Sequence, residues 1–251
     1  MWDGSRNIRD LGGLPTAHSE TGVTMFGRVA RGPRREWLTT VGREDAVRWG
    51  LRTVVDLRNL NEWGPRPDDP GGATSAWDEV TIVHAPTEDP EHEEFVATCG
   101  PILDSPACWT HNARILPELL SRTLNAVAHA EPGVLVHCSG GRDRTGMITA
   151  LLLANAGVAP DAVAADWALS VRTMHRHGLP AHDRQSRWDE PQVEEFVAEG
   201  TAVVESVAAH VATFLDDVGL DDVTRRRLRD LLVARPRRGG DTPPVRIRTG
   251  R

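Results

Sequence analysis

The stretch of residues 133–147, GVLVHCSGGRDRTGM, limits the possible folds of this chain more than any other segment. Its first residues form an uninterrupted apolar run, which indicates a short strand buried on both faces. Two glycines follow, then three charged residues and a threonine (RDRT), and then an apolar run of helical character begins. A buried strand that passes through a tight loop into a helix is typical of α/β sheets covered by helices. The segment therefore predicts an α/β fold.

The rest of the chain continues this alternation of apolar strand patterns with apolar positions at helical spacing. The predicted strands cover residues 27–31, 51–58, 79–86 and 133–138. The predicted helices cover residues 39–50, 111–131, 144–156, 159–171, 190–219 and 220–234. Residues 96–109 contain several helix breakers and no clear period, so we expect a loop or lid there. The pattern predicts a single domain over residues 1–234, with a central mostly parallel sheet flanked by helices and a C-terminal helical portion.

Charge and composition restrict the partners. The last 17 residues, 235–251, hold six arginines and one aspartate and are expected to be a disordered tail. The whole chain has a net charge of −7, so the body before the tail is at −12, which argues against nucleic acid as a partner. No apolar run approaches the ~18 residues of a membrane span. Three irregularly spaced cysteines do not form a disulfide framework, and we expect a cytoplasmic protein.

The loop after the buried strand combines groups that bind a phosphate. Ser139, Gly140 and Gly141 offer backbone N–H groups, and the positive end of the following helix faces the same point. Arg144 follows Cys138 by six positions, and its planar guanidinium can hold two oxygens at once. The same positive field lowers the pKa of a thiol from its usual ~8.5 and creates a nucleophile. The alternative is that Cys138 is only a buried core residue.

These residues resemble the cysteine-based phosphatases of the protein tyrosine phosphatase superfamily, whose signature is His-Cys, five residues, Arg and then Ser or Thr. The closer resemblance is to bacterial tyrosine and dual-specificity phosphatases of the mycobacterial secreted tyrosine/phosphoinositide phosphatase-like group. That group carries HCxxGKDRTG where this chain has HCSGGRDRTG, and the chain contains no lysine at all. NIRDLGG at residues 7–13 resembles the group's NxRDLGG, and VVDLRNLNE at residues 54–62 resembles its DLRSxxE. The resemblance covers most of residues 7–233 and implies a protein tyrosine phosphatase-like fold.

The resemblance implies a phosphomonoester hydrolase that works through a phosphocysteine, with no metal ion and no cofactor. Cys138 would attack phosphorus while Arg144 and the loop N–H groups stabilise the phosphoryl oxygens. The phosphate-binding positions implied are Ser139, Gly140, Gly141, Arg142, Thr145 and Gly146. Supporting roles are expected for His137, Arg58 and Asn7, with Arg9 and Asp10 as further buttresses of the site.

A general acid should protonate the leaving oxygen, and two aspartates compete for this role. Asp143 lies inside the loop beside Arg144, and Asp56 ends a predicted strand, where α/β sheets place site residues. The alternative for Asp56 is a salt bridge or a turn cap. Asp89 and Asp104 lie in the region where other phosphatases carry a mobile acid. We favour Asp143.

The sequence leaves two possible roles open for several other residues. Arg142 faces either a second anionic group or solvent, and Arg58 either lines the pocket or forms an ordinary ion pair. His175, His177 and His182 share one segment, but nothing completes a convincing metal site. Cys99 and Cys108 are interpreted as ordinary thiols rather than as partners of Cys138. A further hypothesis is a pocket wall formed by Arg184, Arg187 and Trp188.

The substrate class stays open at the sequence level. The first candidate is a protein phosphorylated on tyrosine, serine or threonine, or a phosphoinositide. The second is a small phosphorylated metabolite such as a sugar or nucleoside phosphate, which the acidic body and the short lid region favour. A non-catalytic phosphate-binding module is the third, but binding alone would not need the thiol of Cys138.

Overall fold

A five-stranded sheet forms the centre of the computed structural model, which describes residues 2–70, 77–177 and 184–233. Its strands are β1 (Arg9–Asp10), β2 (Val29–Gly32), β3 (Thr53–Asp56), β4 (Thr81–His84) and β5 (Val134–His137). They are ordered β1-β2-β5-β3-β4, and every neighbouring pair except β1 with β2 is parallel. The predicted mostly parallel sheet is confirmed. The two-residue strand β1 was not predicted, because it is too short to show a period.

Helices surround this sheet and form most of the C-terminal half. They are α1 (Thr40–Trp49), α2 (Glu93–Cys99), α3 (Cys108–Ile115), α4 (Pro117–His129), α5 (Asp143–Asn155), α6 (Pro160–Arg176), α7 (Glu190–Ala209), α8 (Val211–Asp217) and α9 (Asp222–Leu232). The predicted helical C-terminal portion is confirmed. Within the described residues, no helix combines the length and the hydropathy needed to cross a membrane. The predicted tail at 235–251 lies outside the described residues.

The apolar strand β5 separates two clusters of core residues. Successive side chains of a strand point to opposite faces of the sheet. Val134 and Val136 therefore pack with Leu151 of α5 in the larger cluster, while Leu135 packs with Ala46 of α1 in the smaller one. Both faces of β5 are buried, which explains why its sequence is a continuous apolar run rather than an alternating one.

Three predicted boundaries are wrong, and each has a local reason. The expected loop at 96–109 overlaps α2 and α3, which are only seven and eight residues long and are separated by the helix breakers Gly100, Pro101 and Pro106. The predicted helix 111–131 is divided at Leu116, whose backbone leaves the helical region because Pro117 follows it. The predicted helix 190–219 is divided at His210, which separates α7 from α8.

The strand register brings the carboxyl ends of four parallel strands to one edge of the sheet. His137 at the end of β5 lies opposite Gly32 on β2 and opposite Asp56 on β3. Asp56 in turn lies opposite His84 at the end of β4. The next residue after His137 is Cys138, so the thiol emerges where four parallel strands end together. This edge is where open α/β sheets bind their ligands.

Trp167 of α6 fixes the distance between three helices. The indole lies over Gly146 of α5 and over Gly200 of α7, and α7 has no room for a larger side chain at that point. A Cβ atom added to Gly200 would lie 2.1 Å from the Cη2 atom of Trp167. The contact anchors α5, the helix that begins at the thiol loop, to the C-terminal helices.

We predict that Gly200→Ala lowers the free energy of unfolding by about 1–3 kcal/mol through overpacking against Trp167, although alanine is the better helix former. Urea unfolding followed by tryptophan fluorescence measures the change. Gly100→Ala is the matched control, because a Cβ atom at Gly100 meets nothing within 4 Å. Its effect should stay within about 0.5 kcal/mol. Equal effects of both substitutions would contradict this account of the helix contact.

Candidate active site

Cys138 opens onto a pocket at the carboxyl edge of the sheet. The pocket has a volume of about 430 Å³, and Ser139, Gly140, Asp143 and Arg144 line it together with the cysteine. Only 2% of Cys138 is exposed, and one side of it packs on the core beneath β5. A thiol between the core and a pocket lined by charged groups fits a nucleophile better than a core residue.

The loop 139–141 turns its carbonyl groups toward the surrounding protein. The backbone N–H of Arg34 donates to the carbonyl of Ser139 at 3.0 Å, and the amide of Asn7 donates to the carbonyl of Gly141 at 3.0 Å. Arg31 donates to that same Gly141 carbonyl. In contrast, the N–H groups of Ser139, Gly140 and Gly141 donate to no acceptor within the described part of the chain. They are available to an anion.

Gly141 is required by geometry. Its φ angle is +69°, in the left-handed region, and a Cβ atom there would lie 2.5 Å from the carbonyl carbon of Gly32 on β2. The loop can therefore approach the end of β2 this closely only with glycine at this position.

Arg144, in the first turn of α5, forms a bidentate ion pair with Glu62. The Nη2 atom lies 2.7 Å from Oε1 of Glu62, and Nη1 pairs with Oε2. Glu62 also accepts from the Ser139 hydroxyl at 2.7 Å. Burial would raise the pKa of Glu62, but Arg144 and Ser139 outweigh it and lower the pKa to about 2. The glutamate thus fixes both the guanidinium and the start of the loop.

Asp143 faces the pocket beside Arg142. The Nε atom of Arg142 donates to Oδ1 of Asp143 at 2.8 Å, and 30% of the aspartate side chain is exposed. Burial among the pocket walls raises the pKa of Asp143, although the charge of Arg142 opposes the shift. A carboxyl group with a raised pKa in a pocket has the properties of a proton donor.

Arg142 is buried rather than solvated. Its Nη1 atom donates to Oε1 of Gln185 at 2.7 Å, and the Gln185 amide donates to Asp104 at 2.8 Å. Only 4% of Arg142 is exposed. The interpretation of Arg142 as a solvated arginine is therefore wrong, because the side chain links the loop to two segments far away in sequence.

Comparison with known proteins agrees with this geometry. Residues 1–234 match the model of the tyrosine phosphatase family. The chain belongs to the tyrosine phosphatase family. It is 25% identical to the triple specificity protein phosphatase PtpB of Mycobacterium tuberculosis, over 92% of this chain and 97% of that protein. It is 27% identical to a tyrosine-protein phosphatase of Nostoc commune, over 59% of this chain and 49% of that protein.

The family match and the relative similar over nearly its whole length establish a cysteine-dependent phosphatase. The predicted family and the predicted class of enzyme are confirmed. The loop 139–141 and the pocket above it form the candidate active site of this phosphatase.

Asp56, the second candidate acid of this phosphatase, is buried in a cluster of cations. Its carboxylate accepts from Nη2 of Arg58 at 2.7 Å and from Nη1 of Arg35 at 2.7 Å. The Nε2 atom of His137 lies 3.4 Å from Oδ2 of Asp56. Both Asp56 and Arg58 have side chains with no exposed surface. Burial would raise the pKa of Asp56, but Arg58 and His137 outweigh it and hold the pKa far below its usual range. Asp56 and Arg58 form a structural ion pair outside the pocket lining.

The two residues that follow Arg144, Thr145 and Gly146, pack against other parts of the protein. Thr145 is fully buried, and its hydroxyl makes no hydrogen bond within the described residues. A Cβ atom at Gly146 would lie 3.1 Å from the Trp167 ring, so this glycine serves the helix contact. Neither residue lines the pocket. The structure therefore contradicts a phosphate-contacting position for Gly146.

A second buried charge cluster supports the loop from outside. Arg31 of β2 and Arg9 of β1 both pair with Asp166 of α6 at 2.6 Å, and Arg9 also donates to the side chain of Asn7. Arg9 and Asn7 thus have the buttressing positions expected for them. Asp10 instead accepts hydrogen bonds from two backbone N–H groups and an indole of its own neighbourhood, away from the pocket.

The remaining candidates lie elsewhere. His182 is outside the described residues, and no group of three potential metal ligands comes together in the described ranges. The rings of Trp188 and Phe196 are tilted relative to each other, with their centroids 5.2 Å apart, and Trp188 packs against the core rather than the pocket. Cys99 and Cys108 are buried in a small apolar cluster below α2, and burial raises the pKa of each thiol. Asp89 accepts from the backbone of Glu91 in a surface turn.

Sequence reasoning missed Glu62, Glu88, Asp166 and Gln185. Glu62 is the last residue of the stretch VVDLRNLNE, so it belongs to a motif that the sequence singled out, but the motif alone assigned it no role. Glu88 follows β4 by four residues, and the tendency of site residues to follow parallel strands would have selected it. Asp166 and Gln185 lie on helical segments far from the loop and carry no local signal.

We predict that Asp56→Asn lowers the free energy of unfolding at neutral pH by about 1.5–3 kcal/mol, because the buried Arg58 loses one of its two carboxylate partners and keeps only Glu36. Chemical denaturation measures the difference. Because the pKa of Asp56 is depressed in the folded state, its contribution is present above the usual aspartate pKa and disappears as the pH falls below about 4. The variant should therefore approach wild type in acid.

Glu131→Gln is the control for that prediction. Glu131 pairs with Arg52 in an ion pair whose two side chains are mostly exposed, so its loss should cost less than about 1 kcal/mol. An Asp56→Asn effect no larger than that of the control would contradict the assignment of a structural ion pair.

Proposed function

We propose that this phosphatase hydrolyses phosphomonoesters through a phosphocysteine at Cys138, without a metal ion, and that its substrates are phosphorylated proteins or phosphoinositides. The observation that carries the proposal is the convergence of Cys138, three unengaged loop N–H groups and Arg144 on one pocket. The similarity to the mycobacterial triple specificity protein phosphatase supports phosphoprotein as the substrate class.

Arg144 keeps one edge of its guanidinium for the substrate. Glu62 takes one hydrogen from each of the two Nη atoms. The Nε–H group and the second hydrogen of Nη2 form the adjacent edge, and neither donates to an acceptor within the described residues. A phosphoryl group can therefore accept two parallel hydrogen bonds from Arg144 while the Glu62 pair stays intact.

The first chemical step transfers the phosphoryl group. The Cys138 thiolate attacks phosphorus, the bond from phosphorus to the ester oxygen breaks, and Asp143 gives its proton to the leaving oxygen. In the second step, the Asp143 carboxylate takes a proton from water, the water oxygen attacks the phosphocysteine, the bond between phosphorus and sulfur breaks to regenerate the thiolate, and inorganic phosphate leaves. Arg144 and the loop N–H groups stabilise the oxygens in both steps.

Asp143 is the acid in this proposal, and Asp56 is not. The pocket position and the raised pKa of Asp143 support a proton donor. Asp56 is ionised among cations and has no exposed surface. Asp104 also lines the pocket, but it accepts a hydrogen bond from Gln185 in a link to Arg142.

A substrate panel decides between phosphoproteins or phosphoinositides and small phosphorylated metabolites. It should contain phosphopeptides, phosphoinositides and sugar or nucleoside phosphates. We expect kcat/KM to be highest for the first two classes. A preference of more than tenfold for a metabolite would replace the substrate class and leave the catalytic mechanism intact.

We predict that Cys138→Ser abolishes turnover of p-nitrophenyl phosphate while inorganic phosphate still binds, because the loop N–H groups and Arg144 remain. Steady-state assays and calorimetry measure the two quantities. Turnover of the wild type should be unchanged in EDTA. Residual turnover near the wild-type value, or loss of activity in EDTA, would contradict the proposed mechanism.

We predict that Asp143→Asn slows hydrolysis of an alkyl phosphate by about 10²–10⁴-fold, because a poor leaving group needs the proton. The effect on p-nitrophenyl phosphate should be much smaller, since its leaving group is stable as an anion. Parallel measurement of kcat/KM for both substrates tests this. If both substrates lose the same factor, Asp143 does not protonate the leaving oxygen.

A further inference from the structure

Glu88 presents an unbonded carboxyl group to the pocket. It lines the pocket with Cys138 and Arg144, and 13% of its side chain is exposed. Its Oε2 atom lies 3.6 Å from Nε of Arg144, which is too long for a hydrogen bond. No hydrogen bond to Glu88 exists among the described residues. The carboxyl group is therefore close to the guanidinium without being committed to it, unlike that of Glu62.

Hydrogen bonds fix the backbone before Glu88, which keeps the Cα atom of Glu88 at the pocket. The hydroxyl of Thr123 on α4 donates to the carbonyl of Ala85 at 3.0 Å. The amide of Asn112 on α3 donates to the carbonyl of Thr87 at 3.0 Å, and Thr87 is fully buried. These two bonds fix the three residues that connect β4 to Glu88.

Glu88 lies at the guanidinium edge that the phosphoryl group needs. A phosphoryl oxygen that accepts from Nε of Arg144 would sit about 2.9 Å from that nitrogen, next to the Glu88 oxygen. A carboxylate there repels a dianion, whereas a neutral carboxyl group can donate a hydrogen bond to the same oxygen.

We propose that Glu88 determines the ionisation state in which the pocket accepts its substrate: its neutral carboxyl group donates a hydrogen bond to the bound phosphoryl group, and its carboxylate excludes that group. Glu88 is thus a catalytic-site residue that touches the substrate. It transfers no proton to the leaving oxygen, a role that remains with Asp143.

The electrostatic surroundings support a neutral Glu88 near physiological pH. Burial raises the pKa of Glu88 to about 7, Arg144 opposes the shift, and the negative charge of Glu62 adds to it. A bound dianion would raise the pKa further. The titratable and charged groups that face Glu88 from the surrounding elements are Arg144 and Asp143 of α5, Glu62, Cys138, Asp104, and Cys99 and Cys108 of the lid segment.

The inference rests on the proposed function only in taking this pocket as the phosphate site. The test therefore uses dilute tungstate, a monomeric dianion over the pH range of the measurement, as a binding probe that requires no turnover. All proteins for this measurement carry Cys138→Ser, so that binding is measured without the nucleophile. Calorimetry gives the dissociation constant at about pH 6 and about pH 8.5.

The expected result follows from the fraction of protein with a neutral Glu88. With a pKa of about 7, the dissociation constant for tungstate should increase about 30-fold between about pH 6 and about pH 8.5. Glu88→Gln, whose amide is always neutral and can donate, should change less than about threefold over that range. Glu88→Ala should also lose the pH dependence, and it should bind about tenfold or more weakly than Glu88→Gln because the donor is gone.

Glu94→Gln is the matched control, because Glu94 lies on α2 in an exposed ion pair with Arg114. It should retain the full pH dependence. Glu88→Gln in the protein that retains Cys138 should extend turnover of p-nitrophenyl phosphate to higher pH than in the wild type. Thermal unfolding of each variant verifies that it is folded.

Three results would overturn the inference. The first is an unchanged pH dependence in Glu88→Gln and Glu88→Ala, and the second is a constant affinity in the parent protein. The third is a loss of 100-fold or more in turnover for Glu88→Gln at about pH 6, which would assign proton transfer to Glu88. Failure of the parent protein to bind tungstate at either pH would instead contradict the proposed phosphate site itself.

Discussion

The thiol loop depends on buried arginines that are neutralised by carboxylates. Arg31, Arg34 and Arg58 are each at most 2% exposed and surround the carboxyl edge of the sheet. An arginine cannot shed its charge as a buried lysine or histidine can, so each needs a carboxylate partner. Asp166 pairs with Arg31, and Asp56 pairs with Arg58. Arg31 and the backbone of Arg34 then hold the carbonyl groups of the loop, which leaves its N–H groups for the pocket.

This arrangement divides the carboxylates of the site into two kinds. Asp56, Glu62 and Asp166 are paired with guanidinium groups, which lower the pKa of each against the opposing effect of burial. Asp143 and Glu88 face the pocket, where burial dominates and raises the pKa of each. Groups of the first kind fix the geometry, and those of the second kind are available for protonation chemistry. Environment rather than residue type makes the difference, since both kinds contain Asp and Glu.

Short helices complete the pocket above the sheet. The segment with α2 and α3 contributes Leu103 and Asp104 to the wall, and Gln185 connects Asp104 to Arg142 of the loop. Three parts of the chain are thereby linked through Gln185. The wall is therefore a packed structural part of the site, rather than the plain loop that the breakers in its sequence suggested.

The sequence by itself determined the α/β class, most of the strands, and the loop with Cys138 and Arg144. These are local properties, since a buried strand, two glycines and a helix start are encoded within fifteen consecutive residues. Only the tertiary structure decided which carboxylate does what, because a pKa depends on which charges and which apolar groups surround the carboxyl. Asp56 ends a parallel strand and Glu88 follows one by four residues, and neither position reveals by itself the surroundings of the carboxyl group. Strand order and register enclose one among cations and leave the other beside the pocket.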